Sequence, residues 1–453
     1  MNNETNSLEV FSSMPISKAI FKNAIPAILA MLMVLVYNLA DTFFIGQTHD
    51  DFQVAAVSLA TPVFLIFMAL GTVFGVGGTS VISRTLGQGR KEYAKKVCSF
   101  CMWSCVIVGI IVAVLFLVFM DDLLILIGAS SETVDFAKSY LRIVSLCGPF
   151  VLIANCYSNV IRAEGNSTYA MSGMLIGNLL NVILDPIFIQ GFGWDIEGAA
   201  IATVVGNIVG ALVYILYYVR KKSILSISPK YFTFKEKICT GVLSIGIPAA
   251  LGTFLMSVSQ IIVNALMSGY SDMAVAAMGV SMKIVMITAM IAVGLGQGIQ
   301  PLLGYCVGAK NWDRFKKILN FSLIFALVLE VILTGLCYIF CDKIVSMFLT
   351  DMSAFTYGVQ FSKILLTTSI LFGIFYVLLN ALQAIGASFS SLIINISRQG
   401  LIYIPASLIL NVIVGVQGIV WAQPLADIVS FILAIILYIV VIKKTISDDK
   451  KII

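Results

Sequence analysis

The sequence predicts an all-α integral membrane protein with twelve transmembrane helices in two pseudo-symmetric six-helix bundles. Three observations carry this expectation. Of the 453 residues, 60% are hydrophobic and 11% charged, whereas a soluble domain carries roughly 25% charge. Apolar stretches of roughly 20 to 30 residues, each long enough to cross a hydrocarbon core, recur about twelve times. Landmarks of the first half return in the second at a displacement of about 221 residues. A spanning barrel would need short alternating strands, which these continuous runs exclude.

In chain order the spans are expected at 18–46, 53–83, 97–120, 134–162, 167–190, 197–220, 239–268, 274–304, 317–341, 354–384, 388–412 and 418–443. They organise the chain into an N-terminal segment (1–17), an N-terminal lobe (18–220), a linker (221–237), a C-terminal lobe (238–443) and a tail (444–453). The first segment is polar, contains Glu4 and Glu9, and lacks a basic region followed by an apolar stretch. No cleaved targeting segment is expected.

Charge sets the orientation. With the N-terminus in the cytoplasm, about 22 of the 28 Lys and Arg lie on that side, among them Arg84, Arg90, Lys91, Lys95, Lys96 and the Arg220–Lys237 cluster. Lys138, Arg142, Lys343 and Lys363 lie outside, and Lys283 and Arg398 lie within helices. A multi-pass protein of the plasma (inner) membrane with both termini cytoplasmic is the expectation, a monomer whose partners are the lipid bilayer and small molecules. The net charge of +5 is too small and dispersed to suggest nucleic acid. Nine scattered cysteines and a single histidine, His49, show no disulfide framework and no metal site. Cys98, Cys101 and Cys105 read as packing residues, and His49 as a loop residue more than a pH sensor.

The repeat is read from VAAVSLATPVF at Val54–Phe64 against VAAMGVSMKIV at Val275–Val285. Gly75 and Gly77 pair with Gly296 and Gly298, Gly87 with Gly308, Gly165 with Gly386, and, slightly shifted, Pro26 with Pro248. Each half holds an even number of spans, so the halves share one orientation about an axis along the membrane normal. Such duplication favours alternating access. Prolines within spans permit bending, and Pro26 is a candidate hinge. Gly71 with Gly75, and Gly206 with Gly210, provide small faces for close helix packing.

Acids within the bilayer are functional candidates, because an unpaired carboxylate there costs about 2.5 to 3.5 kcal/mol. Asp41 and Asp185 each end a span about five residues short of its outer boundary, roughly 7 to 8 Å deep, and are read as sharing a pocket for proton or cation coupling. Asn38 lies one turn from Asp41, and Tyr37 beside it is the aromatic candidate. Asn178, Asn181 and Asp185 follow one helical face. Asn155, Asn159, Thr203 and Asn207 are further candidates to line the same interior. Arg398 with Asp427, and Lys283 with Glu330, are expected as structural ion pairs between neighbouring spans. Arg162 and Glu164 fall at a cytoplasmic boundary, where snorkelling is the simpler reading.

Several stretches resemble those of the multidrug and toxic compound extrusion (MATE) transporters: YNLADTFFIG at Tyr37–Gly46, SRTLGQGR at Ser83–Arg90, IRAEGN at Ile161–Asn166, NVILDP at Asn181–Pro186, and GLGQGIQPLLGYCVGAKNWDR at Gly294–Arg314. They span both halves. The resemblance implies a twelve-helix, two-lobed antiporter that expels organic cations in exchange for protons or sodium, and the sequence is more similar to the proton-coupled bacterial branch. Some sodium-coupled members place acids in the seventh and tenth spans, whereas this chain has none at 239–268 or 354–384. The proton is therefore the expected coupling ion, with sodium at the first-lobe acids as a variant.

No organic cofactor is expected, and ATP is not implied because no phosphate-binding loop ending in Lys and Ser/Thr occurs. A lipid-linked oligosaccharide flippase is the alternative transporter reading, but it would need a more cationic cavity than Lys283 and Arg398 supply. An intramembrane transferase would need clustered His, Asp or metal-binding motifs, which are not seen.

Overall fold

In the computed structural model, residues 8–46, 51–127, 130–220, 223–349 and 351–451 are described. His49 lies outside them. The first half contains α1 (Ile16–Gly46), α2 (Asp51–Gly87), α3 (Lys91–Val118), a short α4 (Met120–Leu126), α5 (Val134–Leu146), α6 (Gly148–Ala163), α7 (Ser167–Pro186) and α8 (Asp195–Val219). The second contains α9 (Ile238–Ser268), α10 (Asp272–Gly308), α11 (Trp312–Ile339), a short α12 (Cys341–Ser346), α13 (Met352–Ser369), α14 (Phe372–Ile385), α15 (Ser388–Ile396), α16 (Tyr403–Val414) and α17 (Val416–Lys451). Among the described residues 88% are helical and none forms a strand.

Among the described residues ten segments are long and apolar enough to cross a membrane, and two bent pairs bring the number to twelve. The bent pairs are the expected fourth and tenth spans. α5 and α6 meet at 57°, and α13 and α14 at 46°. Pro149 at the start of α6 lacks the N–H that would continue the helix. At the second break, which contains no proline, the Ser369 hydroxyl donates to the Leu365 carbonyl at 3.5 Å. Such back-bonding competes with the helical ladder. The expected fifth and eleventh spans also deviate, passing through π-helical turns at Ile187–Gly191 and Ser397–Leu401.

Helix starts are fixed by side chains that satisfy otherwise unpaired N–H groups. Asn166 accepts from the Tyr169 N–H at 3.3 Å, Asn311 from that of Arg314 at 3.0 Å, and Asp351 from that of Ser353 at 2.8 Å. Gly165 and Gly386, partners in the repeat, both reverse the chain in left-handed geometry, with φ of 89° and 90°.

The chain packs as two compact units, one formed by Met1–Met14 and Leu29–Ala250, the other by Pro15–Ile28 and Leu251–Ile453. These boundaries depart from lobes of 18–220 and 238–443, because the first part of α1 packs with the second unit and the first part of α9 with the first. Glycines make both placements possible. In the first unit a Cβ on Gly77 would strike the Val242 carbonyl of α9, and one on Gly246 the Val73 carbonyl of α2. In the second unit a Cβ on Gly298 would lie 2.6 Å from Ala24 Cα, and one on Gly294 2.7 Å from Ile28 Cα, both on α1. The small-residue faces behave as their spacing suggests: Gly71 and Gly75 meet Asn155 and Cys156 of α6, and Gly206 meets Gly177 of α7.

Candidate functional site

Within the first unit, α1, α5, α7 and α8 converge on two acids. Asp185 is fully buried, and neither of its carboxyl oxygens has a hydrogen-bond partner. Asp41 is half-buried, with Oδ1 buried and unpartnered. The two carboxyls lie close enough to interact electrostatically, and the hydroxyls of Tyr37 and Tyr140 lie within reach of both. Asp185 is the penultimate residue of α7, followed by Pro186 and the π-helical turn. Missing and displaced backbone bonds at such a bend turn side chains away from a regular helical face.

The amides form two separate lines. Asn181 Nδ2 donates to Thr203 Oγ1 at 3.3 Å, joining α7 to α8 beside the acids, and Asn207 Nδ2 donates within α8 to the Thr203 carbonyl at 2.8 Å. Asn181 Oδ1 is buried without a partner. Asn155 accepts instead from Thr72 Oγ1 at 3.4 Å, and its carbonyl accepts from Asn159 Nδ2 at 3.0 Å. Asn159 Oδ1 in turn accepts from Arg162 Nη1 at 3.4 Å. Asn178 is half-buried and Asn38 is exposed.

Tyr140 was not singled out in the sequence reading. The apolar pattern predicts a single span at 134–162, whereas the bend at Cys147 gives α5 its own direction, and Tyr140 packs with Ala56, Ala60 and Val144 in the core of the unit. The usable signal was a buried aromatic hydroxyl requiring a polar partner.

The second unit holds a different arrangement. Arg398, in the π-helical turn at Ser397–Leu401, donates from Nε to Asp427 Oδ1 at 2.8 Å and from Nη1 to the Tyr376 hydroxyl at 3.0 Å. Its guanidinium carbon is 4.7 Å from the Phe372 ring centre and 5.1 Å from that of Phe375. Thr368 Oγ1 and Gln423 Nε2 also donate to Asp427, at 3.2 and 3.0 Å. The other expected pair is not made: Glu330 is 1% exposed and neither carboxyl oxygen has a partner, while Lys283 is only half-buried. Glu330 sits where α11 passes Gly373 of α14.

Arg162 and Glu164 also differ from expectation. Each is 1% exposed, buried by neighbouring protein groups instead of extending to a headgroup layer. Glu164 Oε2 accepts from Ser223 Oγ at 2.6 Å and from the Ile224 N–H at 3.2 Å. Among the described residues no three His, Cys, Asp or Glu side chains are grouped to hold a metal ion, and the nine cysteines are free thiols.

The repeat and the helical architecture agree with the comparisons with known proteins. The MatE family profile matches twice, at residues 26–187 and 248–409, one copy in each half of the chain. The chain is 33% identical to the multidrug export protein MepA of Staphylococcus haemolyticus (strain JCSC1435), across 94% of this chain and 93% of the relative. It is 32% identical to MepA of Staphylococcus aureus (strain NCTC 8325 / PS 47), across 93% of each. Its fold matches a multidrug resistance MATE family transporter of the MOP superfamily solved in an outward-facing conformation, with a TM-score of 0.92 at 24% identity over 97% of this chain and 99% of that one. A MOP superfamily transporter from Pyrococcus furiosus Vc1 matches with a TM-score of 0.87 at 25% identity over 95% and 98%. Two copies of one family profile laid over two sets of six spans leave a single assignment: the chain belongs to the MatE family.

Proposed function

We propose that this multi-span transporter is a multidrug exporter, coupled to proton entry, that expels organic cations and other amphipathic compounds by alternating access across the plasma membrane, with both termini in the cytoplasm. It moves its substrates without chemical conversion, as a transporter and not an enzyme. The export role follows the name of the MepA relatives. The coupling mechanism rests on one observation: Asp185 is buried without a hydrogen-bond partner and faces a second acid, Asp41.

A buried carboxyl beside a second one disfavours a negative charge on both. A proton neutralises the pair, and so does an organic cation, so the two compete. Tyr37, Tyr140 and the amides of Asn181 and Asn207 supply hydrogen bonds and aromatic faces for a guest. Pro26 lies on the stretch of α1 that packs with the second unit, and Asp41 on the stretch that packs with the first. A bend at Pro26 therefore links occupancy of the acids to movement between inward and outward access.

Exchange of one proton for one monovalent cation moves no net charge, and one pH unit drives it by about 1.36 kcal/mol. Sodium at the same two acids is the variant reading, since the seventh and tenth spans offer no carboxylate at 239–268 or 354–384. In energised vesicles a pH gradient should drive accumulation of ethidium, and Asp41→Asn should abolish it with protein abundance intact. Imposing proton and sodium gradients separately identifies the ion. Full transport by Asp41→Asn rejects the site.

A further inference from the structure

We infer that Glu330 is a second proton-binding site, carried by the second unit and separate from the Asp41 and Asp185 pair, whose proton is exchanged in each transport cycle. This rests on the proton-antiport reading and adds a coupling site to it. The mechanism above leaves Glu330 unused, although it is 1% exposed and both of its carboxyl oxygens are buried without a partner. Ser322, Ala326, Glu330 and Thr334 form a buried stripe on α11 at four-residue spacing, and the hydroxyls of Ser322 and Thr334 are likewise unpartnered. Gly373 makes room for this stripe. A Cβ there would lie 2.8 Å from Glu330 Cγ and 2.9 Å from the Ala326 carbonyl.

An ionised carboxylate enclosed in this way has lost its water and gained no counter-charge, which is the costly state in a bilayer. Cys337, two turns along the same helix, is a thiol within electrostatic reach of Glu330 and carries no counter-charge. The charged groups on the packed helices do not neutralise Glu330. Lys283 of α10 makes no bond to it, Lys363 of α13 pairs with Asp342 of α12 at 3.1 Å, and Lys18 and Lys22 of α1 are exposed. Tyr376 of α14 accepts from Arg398. A metal ion is the poorer occupant, because hard cations take six or more oxygen ligands and Thr334 offers a single hydroxyl one turn away. The proton meets the requirement alone, converting the carboxylate to a neutral acid.

With one proton on the aspartate pair and one on Glu330, each monovalent guest exchanges for two protons and one net charge crosses the membrane. In proteoliposomes a potential of 100 mV without a pH gradient should then drive about 50-fold accumulation of ethidium, the equivalent of about 2.3 kcal/mol. One pH unit should drive about 100-fold. Glu330→Gln should lose the response to voltage and fall to about 10-fold per pH unit. Infrared spectra of the purified protein in lipid at neutral pH should contain a protonated-carboxyl band that Glu330→Gln removes, Glu330→Asp shifts and Asp41→Asn leaves in place. Absence of that band, or equal responses of the unaltered protein and Glu330→Gln to voltage, overturns the assignment. If the unaltered protein responds to neither gradient, antiport and exchange fail together, which differs from failure of Glu330 alone.

Discussion

Arg398 and Asp427 form a buried ion pair, with Nε to Oδ1 at 2.8 Å and both side chains at least nine-tenths enclosed. Tyr376, Thr368 and Gln423 complete its hydrogen bonds. Breaking such a pair costs more than the pair contributes, because the remaining charge is stranded. Arg398→Ala should therefore lower stability by about 3–5 kcal/mol, read as thermal unfolding of the purified protein. The double variant with Asp427→Asn should recover much of the loss. A double variant no more stable than Arg398→Ala would show that the pair is not what holds these helices.

Asp185→Asn should reduce proton-driven efflux at least ~10-fold while leaving abundance and unfolding temperature near those of the unaltered protein, since its oxygens make no hydrogen bond to lose. The double variant Asp41→Asn with Asp185→Asn should be no worse than Asp41→Asn, because residues that act as one unit are not additive. Multiplicative losses in a vesicle efflux assay would separate the two acids into independent sites.

Gly298→Ala should destabilise the protein by about 1–3 kcal/mol, the usual cost of overpacking. The added methyl would stand 2.6 Å from Ala24 Cα and 2.9 Å from the Asn23 carbonyl, where backbone cannot readily give way. Gly279→Ala, with open space around its Cβ position, should be close to neutral. The comparison is an unfolding midpoint for each variant in the same detergent.

Burial pushes the Glu164 carboxyl up to about 7, against the lowering effect of bonds from Ser223, Tyr217 and the Ile224 and Leu225 backbone. The folded protein thus holds this proton to higher pH than the unfolded chain. Its favourable contribution is complete below pH ~4.5 and is lost as pH rises through about 7. Glu164→Gln, which retains an oxygen for Ser223, should be more stable than the unaltered protein by on the order of 1–3 kcal/mol at pH 8. The two should nearly coincide at pH 5. An unchanged difference across that range would refute the linkage.

Much of the architecture was legible in order along the chain. Most helices begin and end within about five residues of the apolar runs, although α3 starts at Lys91 instead of 97 and α17 runs on to Lys451 instead of 443, and repeat pairs such as Gly165 with Gly386 occupy equivalent turns. The bend between α5 and α6 has Pro149 to mark it, whereas the break between α13 and α14 contains no proline and so left no such mark. The acids Asp41 and Asp185 were legible through their cost in a bilayer and their similar depth. Tyr140 was missed, and Glu330 was assigned to Lys283, because sequence spacing gives the depth of a side chain but not the direction it faces across helices.

The sequence by itself determined that this chain enters a membrane, crosses it about twelve times and carries its charges sparingly, since water and hydrocarbon sort residues by chemistry alone. Only the tertiary structure decided which helix each polar group meets. It sent the beginnings of α1 and α9 into units other than those of their own lobes, because Gly77, Gly246, Gly294 and Gly298 admit a neighbouring backbone that any larger residue would exclude. It also neutralised Asp427 with Arg398 while leaving Glu330 and Asp185 without a partner, a distinction set by distances of a few ångströms that no linear pattern records.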